Sequence, residues 1–142
     1  GCTFDGYFCD FDRNYALHKA DDDVQNAYRV VYQSTDAGLE AAVPGNTAAD
    51  VFRAMNRVLE TNGAKGGQVG RMGHGLGMQL TEWPSNAVFD NTVLENGMVL
   101  TLEPGMQFGE NKIMVHEENL VIRKEGPQLL TRRAPEELPV IS

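Results

Sequence analysis

The first half of the chain alternates apolar and polar residues with the spacing of two amphipathic helices. Three aspartates at 21–23 open the first pattern, where negative charge favours a helix start, and a Pro-Gly pair at 44–45 ends it. Thr47 begins the second, with Asp50 placed as in a capping box, and an Asn-Gly pair at 62–63 ends it. Both helices are predicted to be scaffold. The residues at helical spacing that form one face of each helix are Val24, Tyr28, Val31, Thr35, Leu39 and Ala42 in the first, and Val51, Met55, Val58 and Leu59 in the second.

A β-hairpin is predicted over residues 1–16, before the helices. Aromatic residues alternate there around an Asp-Gly pair at 5–6, which is a strong turn signal. Cys2 and Cys9 face each other across this turn, so a cross-strand disulfide is conceivable. Such bridges are strained, and a disulfide framework normally has more members. Reduced thiols in a cytoplasmic protein are therefore the favoured interpretation.

Short strands and glycine-rich turns follow the second helix. Residues 69–78 hold four glycines around His74. Residues 98–107 and 112–122 predict two apolar strands, whereas the tail at 132–142 has two prolines and predicts irregular structure. The order of a hairpin, two helices and several strands predicts an α+β fold, with helices on one face of an antiparallel sheet.

Composition narrows the class of protein. The chain has 142 residues, 42% of them hydrophobic, which is enough to bury a core and to form one domain or the larger part of one. No apolar run is long enough to span a membrane. A net charge of −8 argues against nucleic-acid binding, which draws on clustered lysine and arginine. The first five residues lack the features of a signal peptide, and we expect the chain to begin inside a domain.

Two glutamates within the apolar strands predict a cation site. A hairpin centred on Glu110 places Glu103 opposite Glu117. Like charges directly opposite each other repel, and an unpaired carboxylate among apolar residues is costly. No arginine or lysine alternates with them at the right places, so a divalent metal ion is the economical partner.

Asp10 and His74 extend this candidate site. Asp10 lies near the end of the first hairpin, and His74 lies between glycines that permit unusual backbone dihedrals. Carboxylates with one imidazole suit Mn, Co, Fe or Zn. Each signal also has a structural explanation. These explanations are a histidine packed among glycines, a glutamate in a Pro-Gly turn, a solvated edge at residues 117–118 and an exposed ion pair at residues 10–13.

Four motifs, in order, resemble those of the pita-bread metallopeptidases, a family that includes methionine aminopeptidases and Xaa-Pro peptidases. Residues 6–13, GYFCDFDR, resemble the family's GYxxDxxR, and residues 73–77, GHGLG, resemble its GHGIG. Residues 102–106, LEPGM, resemble (I/L)EPG(M/L), and residues 115–120, VHEENL, resemble (R)IEDxxL. The resemblance implies that residues 1–142 are the carboxyl-terminal part of a pita-bread catalytic domain.

The same resemblance implies a dinuclear metal site. The family binds two divalent ions through two Asp, one His and two Glu, with one Asp and one Glu bridging. The fifth ligand, an Asp in a DxG stretch ending at Gly1, would precede the chain, so we expect the native protein to continue upstream. With three carboxylates, the chain as it stands is expected to bind metal poorly and to be inactive. The residues that match the other four ligands are Asp10, His74, Glu103 and Glu117.

The implied reaction is cleavage of the amino-terminal residue of peptides, by an Xaa-Pro type aminopeptidase or dipeptidase that is a homodimer. The resemblance also implies that Glu103, or a carboxylate near it, is the proton shuttle. Thr81 replaces a histidine that the family's peptidases place seven residues after the metal-binding one, where it helps to hold the substrate and the tetrahedral intermediate. A hydroxyl can donate a hydrogen bond there but carries no positive charge.

The change at Thr81 keeps a second interpretation open. Some relatives act on small molecules: creatinase cleaves a C–N bond, and related lyases cleave dimethylsulfoniopropionate. A third interpretation is a metal-free module that binds peptides or proteins. The intact candidate ligands argue against the third, because a pure binding module has no use for opposed carboxylates.

Overall fold

Two helices follow the amino-terminal hairpin in the computed structural model, which describes residues 1–64 and 70–142. Helix α1 spans Asp22–Ala41 and helix α2 spans Ala48–Thr61, which confirms both predicted helices. Of the predicted glycine-rich segment, Val69 lies outside the described residues. No helix in the described part of the chain is long and apolar enough to cross a bilayer.

The predicted capping box is present at the start of α2. The N–H of Asp50 donates to Thr47 Oγ1 at 3.1 Å, and the N–H of Thr47 donates to Asp50 Oδ2 at 2.9 Å. The Thr47 hydroxyl also donates to the Asp50 carboxylate, at 2.7 Å. These bonds, together with the one from Arg53, lower the pKa of Asp50 to about 2.

Thr47→Ala is expected to lower the free energy of unfolding by about 1 kcal/mol, because it leaves an N–H of the first helical turn without its acceptor. Thr47→Ser should keep most of the stability, and a Ser variant as unstable as the Ala variant would contradict the capping role.

The Asp50 carboxylate should make stability depend on pH, since its folded-state pKa is lowered. The contribution of this carboxylate to the free energy of unfolding is complete above the unfolded-state pKa of about 4 and disappears as the pH falls through about 2. Urea unfolding of wild type and Asp50→Asn across this window measures it.

The first hairpin has the predicted register but is shorter than predicted. Strands β1 (Cys2–Phe4) and β2 (Tyr7–Cys9) pair antiparallel, with Cys2 opposite Cys9. The two Sγ atoms are 3.1 Å apart, and both cysteines are free. The favoured interpretation of reduced thiols stays a prediction.

The rest of the segment predicted as a hairpin forms a different pairing. Strand β3 (Ala16–Leu17) pairs in parallel with a strand near the carboxyl end, Val140–Ile141, which is β11. Two predictions were therefore wrong in part: the hairpin over residues 1–16 and the irregular structure of the tail at 132–142. A parallel pair needs a long connection, so no local pattern signals it.

A five-stranded antiparallel sheet forms the centre of the fold, in the order β10-β9-β6-β4-β5. Its central strands, β6 (Val99–Leu102) and β9 (Glu118–Val121), are almost completely buried. The other three strands are β4 (His74–Gly75), β5 (Glu82–Ser85) and β10 (Gln128–Leu129).

A second hairpin extends from this sheet, formed by β7 (Gly105–Gly109) and β8 (Lys112–Val115). The predicted continuous strands at 98–107 and 112–122 are thus each divided into two. The sequence pattern missed the break because the apolar character continues through it.

The break lies at the two opposed glutamates. The N–H of Glu103 donates to the carbonyl of Met72 at 3.0 Å instead of joining the ladder with β9. The register is nevertheless the same on both sides, so Glu103 and Glu117 occupy facing positions between the two ladders. The flanking pairs are Leu102 with Glu118 and Gly105 with Val115.

Helix α1 covers the sheet side formed by β6, β7 and β8, and α2 packs against α1. The helices approach closely at Gly38, where a Cβ atom would lie 2.8 Å from the Sδ atom of Met55. A side chain at this position would force the helices or Met55 to move. The arrangement confirms the α+β prediction with helices on one face of an antiparallel sheet. Its largest fully buried apolar side chains include Tyr28, Met55, Met72, Leu94, Leu100, Leu102, Leu120 and Ile122.

Candidate metal centre

His74 begins β4 and is 2% exposed. The preceding Gly73 has a φ of +126°, and a Cβ atom there would lie 2.1 Å from the carbonyl oxygen of Thr101, so glycine permits this close approach to β6. The N–H of His74 donates to Thr101 Oγ1 at 3.0 Å. The ring Nδ1 donates to the carbonyl of Gly75 at 2.8 Å. These bonds fix the ring and direct its Nε2 towards Glu103.

Glu103 faces His74 from the end of β6. Its Oε1 lies 2.9 Å from His74 Nε2 and accepts a 2.5 Å hydrogen bond from Thr101 Oγ1. Burial favours a higher pKa for Glu103, but the bonds from His74 and Thr101 outweigh burial and lower it. Burial favours a lower pKa for His74, and the Glu103 carboxylate and the Gly75 carbonyl outweigh it and raise the pKa. The two groups therefore hold each other in their charged forms.

Asp10 completes a compact group of three. It follows β2 directly and is half-buried. One ligand atom from each of Asp10, His74 and Glu103 lies within 4.8 Å of the others. Three separate parts of the chain thus bring metal-binding atoms to one place.

Glu117 lies between β8 and β9, outside that group of three but facing Glu103. It is 5% exposed, and among the described residues its Oε1 has no hydrogen-bond partner. Burial, followed by the negative charges of Glu103 and Asp10, raises the pKa of Glu117 to about 9. The site therefore has an unpaired buried oxygen, and without a cation its Glu117 carboxyl takes up a proton at neutral pH.

A divalent cation fits these observations. Three carboxylates and one imidazole form a donor set suited to Mn, Co, Fe or Zn. A cation next to Glu117 would provide the partner that its Oε1 lacks, and it would reverse the penalty of crowding carboxylates together. The metal-ligand roles of the four residues remain predictions.

Two structural explanations of the same sequence signals are excluded. A solvated edge at residues 117–118 does not exist, because Glu118 is fully buried. An exposed ion pair within residues 10–13 does not form either: the guanidinium of Arg13 instead donates to Glu118 at 2.9 Å and to the carbonyl of Glu117 at 3.0 Å.

Thr81 lies on the turn between β4 and β5 and is exposed. In the described part of the chain its side chain makes no hydrogen bond, and the metal-ligand cluster consists of other residues. The neighbouring Glu82 folds back instead and accepts from the N–H of Gln79 at 2.8 Å. A catalytic role for Thr81 stays a prediction.

Sequence reasoning missed two polar residues that contact this site, Thr101 and Asn119. They face each other directly across β6 and β9, two pairs along from the opposed glutamates and therefore on the same side of the sheet. The signal was present in the predicted register, because a polar pair inside two apolar strands requires an explanation.

Comparison with solved structures shows that the fold is the pita-bread fold, as predicted. The X-Pro aminopeptidase from Thermotoga maritima MSB8 has a TM-score of 0.91 and 25% identity, over 99% of this chain and 40% of that one. The dipeptidase PepE from Mycobacterium ulcerans has a TM-score of 0.88 and 32% identity, over 96% of this chain and 36% of that one.

The chain belongs to metallopeptidase family M24, which it matches over residues 1–125. The Xaa-Pro dipeptidase from Pyrococcus furiosus is 28% identical over 132 residues, which are 93% of this chain and 38% of that protein. The chain therefore spans between 36% and 40% of the length of these relatives. Membership of a metallopeptidase family implies the use of divalent metal.

Proposed function

We propose that the complete protein is a dinuclear metal-dependent hydrolase of the Xaa-Pro type, an aminopeptidase or dipeptidase that removes the amino-terminal residue of peptides. The observation that carries this proposal is the convergence of Asp10, His74 and Glu103, whose ligand atoms lie within 4.8 Å of one another. Relatives described as an X-Pro aminopeptidase and an Xaa-Pro dipeptidase support the substrate class.

The residues of this chain have two roles in this proposal, binding metal and transferring a proton. Asp10, His74, Glu103 and Glu117 would hold metal, with an Asp upstream as the fifth ligand. Bound divalent ions supply Lewis acidity and bring the pKa of water towards neutrality. Glu103, oriented by Thr101, accepts a proton from the attacking water and passes it to the leaving amine.

The proposal extends to the setting of the enzyme. The metal is Mn, Co, Fe or Zn, since each accepts oxygen and imidazole ligands. The location is the cytoplasm, a reducing compartment in which Cys2 and Cys9 would stay as thiols. The assembly is a homodimer, which the resemblance to the pita-bread metallopeptidases implies.

The complete protein is expected to hydrolyse Xaa-Pro dipeptides when loaded with Mn²⁺ or Co²⁺ and to lose that turnover in chelator, because removing the metal removes both the Lewis acid and the activated water. The assay follows release of the amino-terminal residue from Ala-Pro, with Ala-Ala, creatine and dimethylsulfoniopropionate in parallel. Metal-dependent turnover of one of the small molecules, without any peptide turnover, would replace this proposal by the alternative below.

The alternative is a non-peptidase enzyme of the same fold that acts on a small molecule, and the residue that favours it is Thr81. A neutral hydroxyl there cannot supply the positive charge of a histidine. Thr81→His separates the two functions in the same assay. It should preserve or raise turnover in a peptidase, whereas in a small-molecule enzyme it should leave peptides uncut and harm the native reaction.

A further inference from the structure

Thr101 and Asn119 form a polar pair directly behind the candidate ligands. They are Cα partners in the β6–β9 ladder. Alternate residues of a strand share a face, so Thr101 lies on the side of Glu103 and Asn119 on the side of Glu117. Both side chains are buried, at 0% and 2% exposure, in two strands whose only other polar or charged residue is Glu118.

Thr101 supports two of the ligands. Its hydroxyl accepts from the N–H of His74 at 3.0 Å and donates to the carboxylate of Glu103 at 2.5 Å. One side chain therefore fixes the backbone of the imidazole ligand and the orientation of a carboxylate ligand. Both of these ligands stand on the five-stranded sheet.

Asn119 holds the third ligand, which stands outside that sheet. Its Oδ1 accepts from the N–H of Asp10 at 3.1 Å, and its Nδ2 donates to the carbonyl oxygen of Asp10. The carboxamide thus satisfies both backbone groups of one residue, as a neighbouring strand would. A two-point contact fixes both the position and the direction of the Asp10 backbone.

Asn119 is itself held firmly. Its N–H donates to Thr131 Oγ1 at 3.2 Å, and its carbonyl accepts from the N–H of Leu130 at 2.8 Å. The adjacent Glu118 accepts from Arg13, three residues after Asp10, so the segment that carries Asp10 is tied to β9 at two points. The two-point contact between Asn119 and Asp10, called the clamp below, therefore rests on strand β9, which is buried along its whole length.

We propose that Asn119 is a positioning residue for the metal centre: its carboxamide sets Asp10 at the distance from His74 and Glu103 that a shared cation requires. This inference rests on the proposed metal site and goes beyond it, because Asn119 is not a ligand. The structure assigns the alignment of all three grouped ligands to the single Thr101–Asn119 pair, with Asn119 holding the one ligand that the sheet does not carry.

Asn119→Ala in the complete protein is the test. Removing the clamp leaves both backbone groups of Asp10 without their partner, so we expect Co²⁺ affinity to fall by about 10- to 100-fold, as is typical when a group that orients a ligand is lost. The visible absorption spectrum of bound Co²⁺ should also change, since it reports coordination geometry. In the metal-free protein, amide hydrogen exchange at Asp10 should accelerate.

Asn46→Ala is the matched control. Asn46 also bonds backbone through its side chain, donating to the carbonyl of Ala41 at 2.9 Å, but it lies in the connection between α1 and α2. It should lose a similar amount of stability and keep both Co²⁺ affinity and spectrum. Asn119→Asp is the second variant if the alanine variant does not fold. It keeps an acceptor for the Asp10 N–H and lacks the donor, so it should also weaken Co²⁺ binding.

The outcomes separate this inference from the proposed function. Wild type that binds Co²⁺, with Asn119 variants that match it within about twofold in affinity and have the same spectrum, would overturn the positioning role alone. Wild type that binds no Co²⁺ would overturn the metal centre, and the positioning role with it.

Discussion

Glu103→Gln is expected to lower the kcat of Xaa-Pro dipeptide hydrolysis by about 100- to 10,000-fold in the complete, metal-loaded protein. The Glu103 carboxylate contacts His74 Nε2 at 2.9 Å and belongs to the ligand cluster with Asp10. An amide has nearly the same shape, but it neither carries the negative charge nor accepts the proton of the attacking water. Steady-state kinetics at saturating metal measures the loss.

Glu110→Gln is the control for this variant. Glu110 is an exposed carboxylate at the tip of the β7–β8 hairpin, on the same stretch of chain as Glu103. Its amide variant should have wild-type kcat and the same metal dependence. A Glu103→Gln enzyme that works as fast as the Glu110→Gln enzyme would remove Glu103 from the chemistry.

Glu117→Gln is expected to stabilise the metal-free protein at pH 7, by on the order of 2 kcal/mol. The pKa of Glu117 is raised to about 9 in the folded state, so folding takes up a proton that the unfolded chain has already lost. The wild-type penalty is absent below the unfolded-state pKa near 4, grows as the pH rises, and is complete once the pH passes about 9. Glutamine has no such penalty, because it is neutral in both states.

Bound metal should reverse this difference and make wild type more stable than Glu117→Gln. A cation that binds the folded state alone stabilises it by mass action, and wild type has the carboxylate that Glu117→Gln lacks. Thermal melts in chelator at pH 4 and pH 8, followed by a Mn²⁺ titration, measure both effects, with exposed Glu125→Gln as control. A wild-type melting temperature that ignores chelator and Mn²⁺ would favour the metal-free binding module.

The parts of the structure that sequence predicted were the ones set by local rules. The Asp-Gly turn fixed the pairing of Cys2 with Cys9, and the Thr47–Asp50 capping box placed the start of α2. The register of the second hairpin was predicted from a centre at Glu110, which placed Glu103 opposite Glu117, and in the structure a bulge between Gln107 and Gly109 gives the same register. Each of these depends on residues close together in the chain.

The parts that sequence did not predict depend on distant residues. The parallel pairing of β3 with β11 joins the two ends of the chain, and local alternation carries no trace of it. Glu118 looked like a surface charge because its partners, Arg13 and Arg133, come from remote segments and cover it completely. The Asn119 contact with Asp10 joins residues 109 positions apart and appears only when the fold brings the hairpin to β9.

The β1–β2 hairpin forms its own two-stranded sheet, separate from the five-stranded one, and Phe4 at its tip is 85% exposed. A two-stranded hairpin alone is marginal in water, and hydrogen bonds from Phe8 to Gly77 and between Asp10 and Asn119 are what fasten this one to the rest of the described chain. A cation shared by Asp10 and His74 would therefore act as a cross-link that closes the long loop of chain between them, as a disulfide does in secreted proteins. The order of the hairpin and the occupancy of the metal centre would then rise and fall together, so metal supply would add to the hydrogen bonds that fasten the hairpin.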